Sequence, residues 1–296
     1  TEEYLKESLK LLHDYKINSD DKILIKPSII EPAYGYQTVN TNPRLLDALL
    51  NILKGWGVKD IVVAEQSMLG NDTIESAKKS EILDVCKSHG IDFVDLAKAE
   101  FIEKEYESFK FNIAKEFFER KIINLPVMKT NSQIGISGAI ENMVRAVDAE
   151  TQKRMFAEDI EKTLPRLLKI LPGFLTIGDA TIGMHAQGPT SLGEPAFLNM
   201  LFVSNDPVAL DAVFAEMGIL EIPEYVKEAS NIRIGNANAK MVEIVGEDLE
   251  AIRLHLKPAD KNASPHQKIN LIDGKANPYV FNSALEITSR LIGLLG

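Results

Sequence analysis

Cysteine is nearly absent from the chain, which has one, Cys86, among its 296 residues. A single cysteine excludes a disulfide within the chain, and it supplies too few thiolates for a protein-held iron–sulfur cluster or a cysteine-based zinc site. Iron–sulfur chemistry would therefore have to come from a partner or from a missing domain. We expect no cofactor in the chain itself, and a hard divalent ion held by carboxylate and backbone oxygens is the metal that the composition still allows.

Long apolar runs and an excess of basic residues are also lacking. No apolar segment approaches the roughly 18–20 residues needed to cross a membrane, and the start of the sequence lacks the pattern of a signal peptide. Acidic residues outnumber basic ones, 43 to 33, and the net charge of −10 argues against a broad phosphate-binding face. We therefore expect a cytoplasmic protein that binds neither membranes nor nucleic acid.

Several familiar catalytic motifs are missing as well. No G-x-G-x-x-G follows a predicted strand, and G-x-x-x-x-G-K-[ST], G-x-S-x-G and H-E-x-x-H do not occur. These absences exclude a standard Rossmann or P-loop nucleotide site, a nucleophile elbow and a zincin helix.

What the sequence does contain is a regular alternation of short apolar strands and amphipathic helices. The predicted strands of the first part are Lys22–Lys26, Asp60–Ala64 and Ile91–Asp95, with helices between them over Pro43–Trp56 and Thr73–His89. Such alternation is the signature of right-handed parallel crossovers. We predict an α/β fold with a mostly parallel twisted sheet, helices on both faces, and a short antiparallel insertion over Phe101–Asn112.

The C-terminal part of the sequence differs in character from the rest. The segment KPADKNASPHQ, which begins at Lys257, is polar and has the composition of a linker, and an amphipathic pattern starts at Asn282. We therefore predict an α/β core over residues 1–253 and a C-terminal linker with a helix over residues 254–296.

Candidate ligand-binding residues concentrate in the stretch Lys121–Val147. A strand over Ile122–Leu125 is expected to stop at Pro126, which cannot donate to a sheet ladder. A polar loop with Lys129 and Asn131 should follow, and then a helix capped by Ser137 that carries Glu141 and Asn142 near its start. Ligands of open α/β sheets bind where strands give way to helices. Lys129 could hold a carboxylate or phosphate, or it could pair with Glu141 or Asp179 instead.

A second such stretch runs from Phe174 to Phe214. Asp179 directly follows a predicted strand and could be a general base, a metal ligand or a turn-former. His185 lies in the next Gly/Pro-rich loop, where it could titrate near neutrality or simply be a surface residue. Gly188 in the same loop would let the backbone approach a ligand closely. Lys26, at the end of the first strand, could converge on the same ligand or remain solvated.

Four features together resemble the DUF362 family of uncharacterised prokaryotic proteins. They are Lys26-Pro27, the helix opened by Asn42-Pro43, the segment INLPVMKTNSQIGISGAIEN, and GDATIGMHAQGPTSLGEP followed by SNDPVALDAV. The resemblance covers roughly Asp21 to Met217. It implies redox or cofactor-related work in anaerobic metabolism, because members often carry a ferredoxin-like iron–sulfur segment, and hence it implies a ferredoxin-like partner here. The family pattern has Lys-Thr-His and Lys-Asn where this chain has Lys129-Thr130-Asn131 and Glu141-Asn142.

Three classes of function remain open at this stage. The protein could be an enzyme acting on a small anion held by Lys26 and Lys129, with Asp179 or His185 moving a proton. It could be a redox or cofactor-handling accessory of a separate iron–sulfur protein, or a non-catalytic sensor of a metabolite. In each case we predict that Lys129 and Asp179 face one cleft, closed by the Tyr34–Tyr36 loop and the Gly183–Gly193 loop.

Overall fold

Nine strands of the described chain form one sheet, and two more form a separate hairpin. The structure is a computed structural model that describes residues 2–12, 15–34 and 37–260. The strands are β1 Lys22–Pro27, β2 Asp60–Glu65, β3 Asp92–Asp95, β4 Phe101–Tyr106, β5 Phe109–Ala114, β6 Lys121–Leu125, β7 Val127–Asn131, β8 Gly135–Ser137, β9 Phe174–Ala186, β10 Gly193–Ala196 and β11 Met200–Ser204. The helices are α1 Glu2–Leu11, α2 Pro43–Gly55, α3 Thr73–Lys79, α4 Ile82–His89, α5 Glu116–Glu119, α6 Ala149–Glu158, α7 Ile160–Ile170, α8 Pro207–Met217, α9 Glu224–Asn231 and α10 Leu249–Ile252.

The large sheet is mostly parallel, as predicted. Strands β3, β2, β1, β6 and β9 lie side by side in that order and all pair in parallel. Strands β10 and β11 pair antiparallel with β9, and β8 pairs antiparallel with β7. The antiparallel insertion is the β4–β5 hairpin, which forms a sheet of its own. The predicted fold class is therefore confirmed.

Helices cover both faces of the sheet, and the alternation of side chains along β1 shows it. Ile23 and Ile25 pack into a core with apolar residues of α1, α2 and α4, whereas Leu24 packs into a second core with residues of α7, α8 and α9. Successive residues of a strand point to opposite faces, so the two cores lie on opposite sides of the sheet. A strand buried on both faces needs apolar residues throughout, which is what made these strands recognisable in the sequence.

The predicted strand ends as expected at Leu125, directly before Pro126, but the polar loop predicted after it was wrong. The chain continues after this proline as β7, and β6 and β7 pair with successive parts of the same long strand, β9. The proline interrupts the ladder for one residue only, because its carbonyl oxygen still accepts a hydrogen bond of 2.7 Å from the backbone N–H of Asp179. Lys129 and Asn131 therefore lie in a fully buried strand and not in a loop.

Two predicted helices differ in the structure. Ser137 belongs to β8, and the segment after it is a 3-10 helix over Glu141–Ala146 with no side-chain cap. The predicted helix Thr73–His89 is divided into α3 and α4 at Glu81, whose φ of 66° lies in the left-handed region. A backbone in that conformation cannot continue a right-handed helix.

The C-terminal segment is described only in part. Leu254 and Leu256 donate backbone hydrogen bonds to Met217 and Gly218 at 3.0 and 3.1 Å, so the first residues of the predicted linker run along the core. The remainder of that linker and the predicted helix from Asn282 lie outside the described residues. Across the part of the chain that the structure describes, no helix combines the length and apolar character needed to span a bilayer.

Candidate functional site

Five buried charged residues gather where β1, β2 and β6 end and where β7 and β9 run on beyond them. We call this set the charge cluster: Lys26, Glu65, Lys129, Arg145 and Asp179. Charged side chains are rarely buried unless they are paired, so each of these needs an explanation. Their position at the carboxyl ends of the parallel strands is where ligands of open α/β sheets bind.

Lys26 and Glu65 form a buried salt bridge, which accounts for the burial of both charges. Nζ of Lys26 donates to Oε2 of Glu65 at 2.9 Å, and both side chains are fully buried. Glu65 also accepts hydrogen bonds from the backbone N–H groups of Gln66 at 2.9 Å and Ile29 at 3.4 Å. Burial lowers the pKa of Lys26 and raises the pKa of Glu65, while the attraction between the two groups opposes both shifts. The amine of Lys26 is thus committed to Glu65.

Lys129 is buried without such a partner. Its Nζ donates to the carbonyl oxygen of Val39 and, at 3.3 Å, to that of Pro189, and no carboxylate of the described residues lies within salt-bridge distance. Burial lowers the pKa of Lys129 from 10.5 to about 7; Glu141 opposes this shift and Arg145 adds to it. Taking an ammonium group out of water favours its neutral form, which is the physical cause of the low value.

Arg145 is the least satisfied group of the charge cluster. It lies in the 3-10 helix Glu141–Ala146 with only 6% of its surface exposed, and its Nε and Nη1 have no hydrogen-bond partner among the described residues. Its backbone is fixed by Gln66, whose side-chain amide donates to the carbonyl oxygen of Arg145 at 2.8 Å. The backbone of Arg145 is therefore held in place, while two guanidinium nitrogens have no acceptor among the described residues.

The carboxylate of Asp179 accepts hydrogen bonds from three nearby donors. It accepts hydrogen bonds from the backbone N–H of Asn42 at 2.9 Å, and from the N–H and the hydroxyl of Thr181 at 3.1 and 2.7 Å. Burial raises the pKa of Asp179, and these three donors oppose the shift. Because Asn42 also caps α2, Asp179 fixes the start of that helix against β9.

The two predicted asparagines hold the surrounding backbone in place. Nδ2 of Asn142 donates to Oδ1 of Asn124 at 2.7 Å, next to the end of β1. Oδ1 of Asn131 accepts from the N–H of Gln133 at 2.8 Å and shapes the turn between β7 and β8. Glu141 is half-buried and close enough to Lys129 to act on its pKa. A direct role of these residues in ligand binding stays a prediction.

His185 and Gly188 contact different parts of the protein. Nδ1 of His185 accepts a hydrogen bond of 3.2 Å from the N–H of Lys257 in the C-terminal segment, and its Nε2 lies 3.6 Å from Glu194 of β10, so these partners lie outside the charge cluster. A Cβ atom on Gly188 would lie 2.2 Å from the carbonyl oxygen of Thr130, so a larger residue would push this loop away from β7. Gly188 thus places the neighbouring Pro189 carbonyl over Lys129.

The two predicted loops meet at Lys129. Val39 belongs to the loop after β1. The predicted loop Gly183–Gly193 is shorter in the structure, because β9 extends to Ala186 and β10 begins at Gly193, so His185 lies in β9 and Pro189 in the loop over residues 187–192. A hydrogen bond of 2.9 Å from the N–H of Ser191 to Glu31 joins the two loops directly. Of the residues named for the first loop, Tyr34 is partly exposed, whereas Gly35 and Tyr36 lie outside the described residues. In this arrangement both loops cover the amine.

Sequence reasoning missed two members of the charge cluster. Glu65 directly follows one predicted strand and Lys26 lies at the end of another. Opposite charges at the ends of two such strands could have indicated a salt bridge. Arg145 gave no usable signal, because the sequence predicts an α-helix after Ser137 where the structure has a 3-10 helix. A 3-10 helix has three residues per turn, so it places Arg145 above Asn142 and turns both inward.

A large cavity lies elsewhere, between α1, β11, α8 and the segment 242–249. It measures about 850 Å³ and its lining is largely apolar, with Met200, Phe202, Val213 and Val245 among its residues. It approaches the charge cluster only through Thr181, whose hydroxyl is bonded to Asp179. We place the candidate site at the charge cluster because two nitrogens of the buried Arg145 lack a hydrogen-bond partner there. Among the described residues, no group of three or more His, Cys, Asp or Glu side chains could hold a metal ion.

Comparison with known proteins gives a family and a distantly similar solved structure. The profile of a domain of unknown function, DUF362, matches residues 23–216, a range that includes the whole charge cluster. A crystal structure of a structural genomics target from Thermotoga maritima is similar with a TM-score of 0.41 and 15% identity, over 78% of this chain and 58% of that one. The chain thus spans less than two thirds of that protein. No curated protein matches the sequence.

Proposed function

Because the chain belongs to the DUF362 family, whose function is unknown, its activity has to be inferred from its own site, and we propose that it binds a small anion between Lys129 and Arg145. The anion would carry a carboxylate or phosphate group. Both basic residues lie inside the matched range, at the edge of the sheet where such ligands bind.

The observation that carries the proposal is the state of Arg145. A guanidinium group has five N–H donors and no acceptor, and leaving buried donors of a charged group unpaired is costly. Two of its three nitrogens lack a partner among the described residues. A planar oxyanion fits the fork of Arg145, and charge-assisted bonds of this kind are the strong ones.

The balance of buried charge points the same way. Glu65 neutralises Lys26, and the carboxylate of Asp179 is filled by the donors of Asn42 and Thr181. Lys129 and Arg145 remain without a salt-bridge partner among the described residues, and the charge of Arg145 lowers the pKa of Lys129. An anion between them would remove that repulsion, so its binding should be favoured by both residues.

We further propose that the bound anion is chemically converted by proton transfer. Asp179 is the buried acid whose charge acts on Lys129, and with Glu141 it is a candidate for moving a proton. A redox accessory working with a separate iron–sulfur partner, or a metabolite sensor, would use the same anion site, and turnover of the ligand separates an enzyme from both.

The test is anion binding by the wild-type protein and two arginine variants. We expect phosphate or a small carboxylate such as pyruvate to bind by calorimetry, and Arg145→Gln to weaken binding by a factor of about 10 to 100, the value of one charged hydrogen bond. Without ligand, Arg145→Gln should unfold at a temperature equal to or higher than the wild type, because it removes an unpaired buried charge. The matched control is Arg233→Gln, since Arg233 is exposed. Equal affinity in all three proteins would contradict the proposal.

A further inference from the structure

We infer that Lys129 acts as a neutral amine and forms an imine with a carbonyl group of the bound anion, an inference that rests on the proposed anion site. The substrate class is then a small aldehyde or ketone that carries a carboxylate or a phosphate. Arg145 would hold the anionic group and Lys129 would react with the carbonyl carbon.

The hydrogen-bond inventory of Lys129 supports the neutral form. An ammonium group has three N–H donors, whereas a neutral amine has two donors and one lone pair. The described residues offer two acceptors, the carbonyl oxygens of Val39 and Pro189. Two donors for two acceptors leave the lone pair unused, and an unused lone pair is what a nucleophilic amine needs.

The comparison with Lys26 shows that burial alone does not create this situation. Both lysines are fully buried and both lie near the charge of Arg145, but Lys26 has the carboxylate of Glu65 at 2.9 Å to keep its proton, whereas the hydrogen-bond partners of Lys129 are two carbonyl oxygens. Desolvation and a neighbouring cation are the two means by which enzymes activate imine-forming lysines. The pKa of Lys129, about 7, agrees with the geometry.

The reaction balances without an oxidant or reductant. The lone pair of Nζ attacks the carbonyl carbon, and one proton passes from the nitrogen to the former carbonyl oxygen to give a carbinolamine. The second proton of the nitrogen then leaves with that hydroxyl as water and the C=N bond forms, so a ketone and an amine become an imine and one water molecule. Glu141, half-buried and within electrostatic reach of Lys129, is the candidate for carrying these protons from nitrogen to oxygen.

The experiment is reductive trapping on the wild-type protein. The full chain is incubated with pyruvate, or separately with dihydroxyacetone phosphate, and reduced with borohydride, and the modified residue is located by peptide mass spectrometry. We expect one modified site, Lys129, with no modification at Lys26. The two probes distinguish a carboxylate from a phosphate ligand. Acetone, which has the carbonyl but no charge, should modify Lys129 at least 10-fold less, and lactate, which has no carbonyl, should leave the protein unmodified.

The outcomes separate this inference from the proposed function. Lys129→Arg should keep most of the anion affinity and lose the trapped adduct. If the anions bind in calorimetry but the adduct is missing or is spread over exposed lysines, the imine is wrong and the anion site stands. If neither anion binds, both fail. The peptide map of the wild-type protein decides the matter even if Lys129→Arg does not fold.

Discussion

Lys26 and Glu65 lie at the ends of adjacent parallel strands, and their side chains meet at 2.9 Å with neither exposed to solvent. Lys129, on β7, is equally buried and has carbonyl oxygens in place of a carboxylate. The site therefore contains one lysine whose charge is compensated and one whose charge is not, and the predictions below separate their roles.

Breaking the buried pair should be costly. Glu65→Gln leaves the ammonium of Lys26 buried without its counter-charge, and we expect the free energy of unfolding to fall by about 3 kcal/mol. Urea denaturation measures this. The matched control is Glu7→Gln, which breaks the exposed pair with Lys10 at 2.7 Å and should change stability by less than about 0.5 kcal/mol. Equal effects of the two substitutions would show that the buried pair carries no special energy.

The titration of Lys129 should appear in the pH dependence of stability. Its pKa is about 7 in the folded protein against 10.5 in the unfolded chain, so between these values the unfolded state binds more protons. Stability gained from this group therefore rises with pH across that window, by at most about 1.4 kcal/mol per pH unit, and is constant below it. Comparing the wild type with Lys129→Met by urea denaturation isolates the effect, because the other groups titrate in both. Parallel curves from pH 7 to 10 would contradict the assignment.

Asp179 should tolerate an amide better than an alanine. Asp179→Ala leaves the backbone N–H groups of Asn42 and Thr181 without their acceptor, and we expect a loss of about 3 kcal/mol. Asp179→Asn keeps one oxygen acceptor and should cost about 1 kcal/mol. If Asp179 also moves a proton, the asparagine variant will fold and bind the anion but will not turn it over. A well-folded alanine variant would argue against the structural role.

Gly188 should be intolerant of a side chain. The Cβ atom of Gly188→Ala would lie 2.2 Å from the backbone oxygen of Thr130, so the loop would have to move away from β7. We expect a loss of about 3 kcal/mol in stability and weaker anion binding. Gly173→Ala is the control, since its Cβ would have nothing within 4 Å. Thermal unfolding and calorimetry measure the two effects.

The fold could be predicted from the sequence because its strands are buried on both faces. Ile23, Leu24 and Ile25 are apolar regardless of the face they point to, and the glycine and proline residues between elements mark the turns. The segment after Pro126 misled the prediction, because its polar residues favour a loop. In the folded chain the carbonyl of Pro126 accepts a hydrogen bond from Asp179 of β9, and the chain continues along β9 as β7.

The site could be predicted only in part, for a different reason. Lys129, Asp179 and the glycine loop stand out because they follow apolar strands, and the structure brings the loop to Lys129. The burial of Arg145 follows from a 3-10 helix, which no periodicity in six residues reveals. That Lys26 is paired and Lys129 is not depends on which strands are neighbours, and strand order is a property of the whole chain.

The carbonyl oxygens that hold Lys129 come from residues 90 positions before it and 60 positions after it along the chain. We expect contacts between such distant segments to form late in folding, because the intervening loops must close first. The surroundings of the amine thus exist only after most of the sheet has assembled. A ligand seated there would leave the rate of folding unchanged and slow the rate of unfolding, so it would extend the lifetime of the native protein.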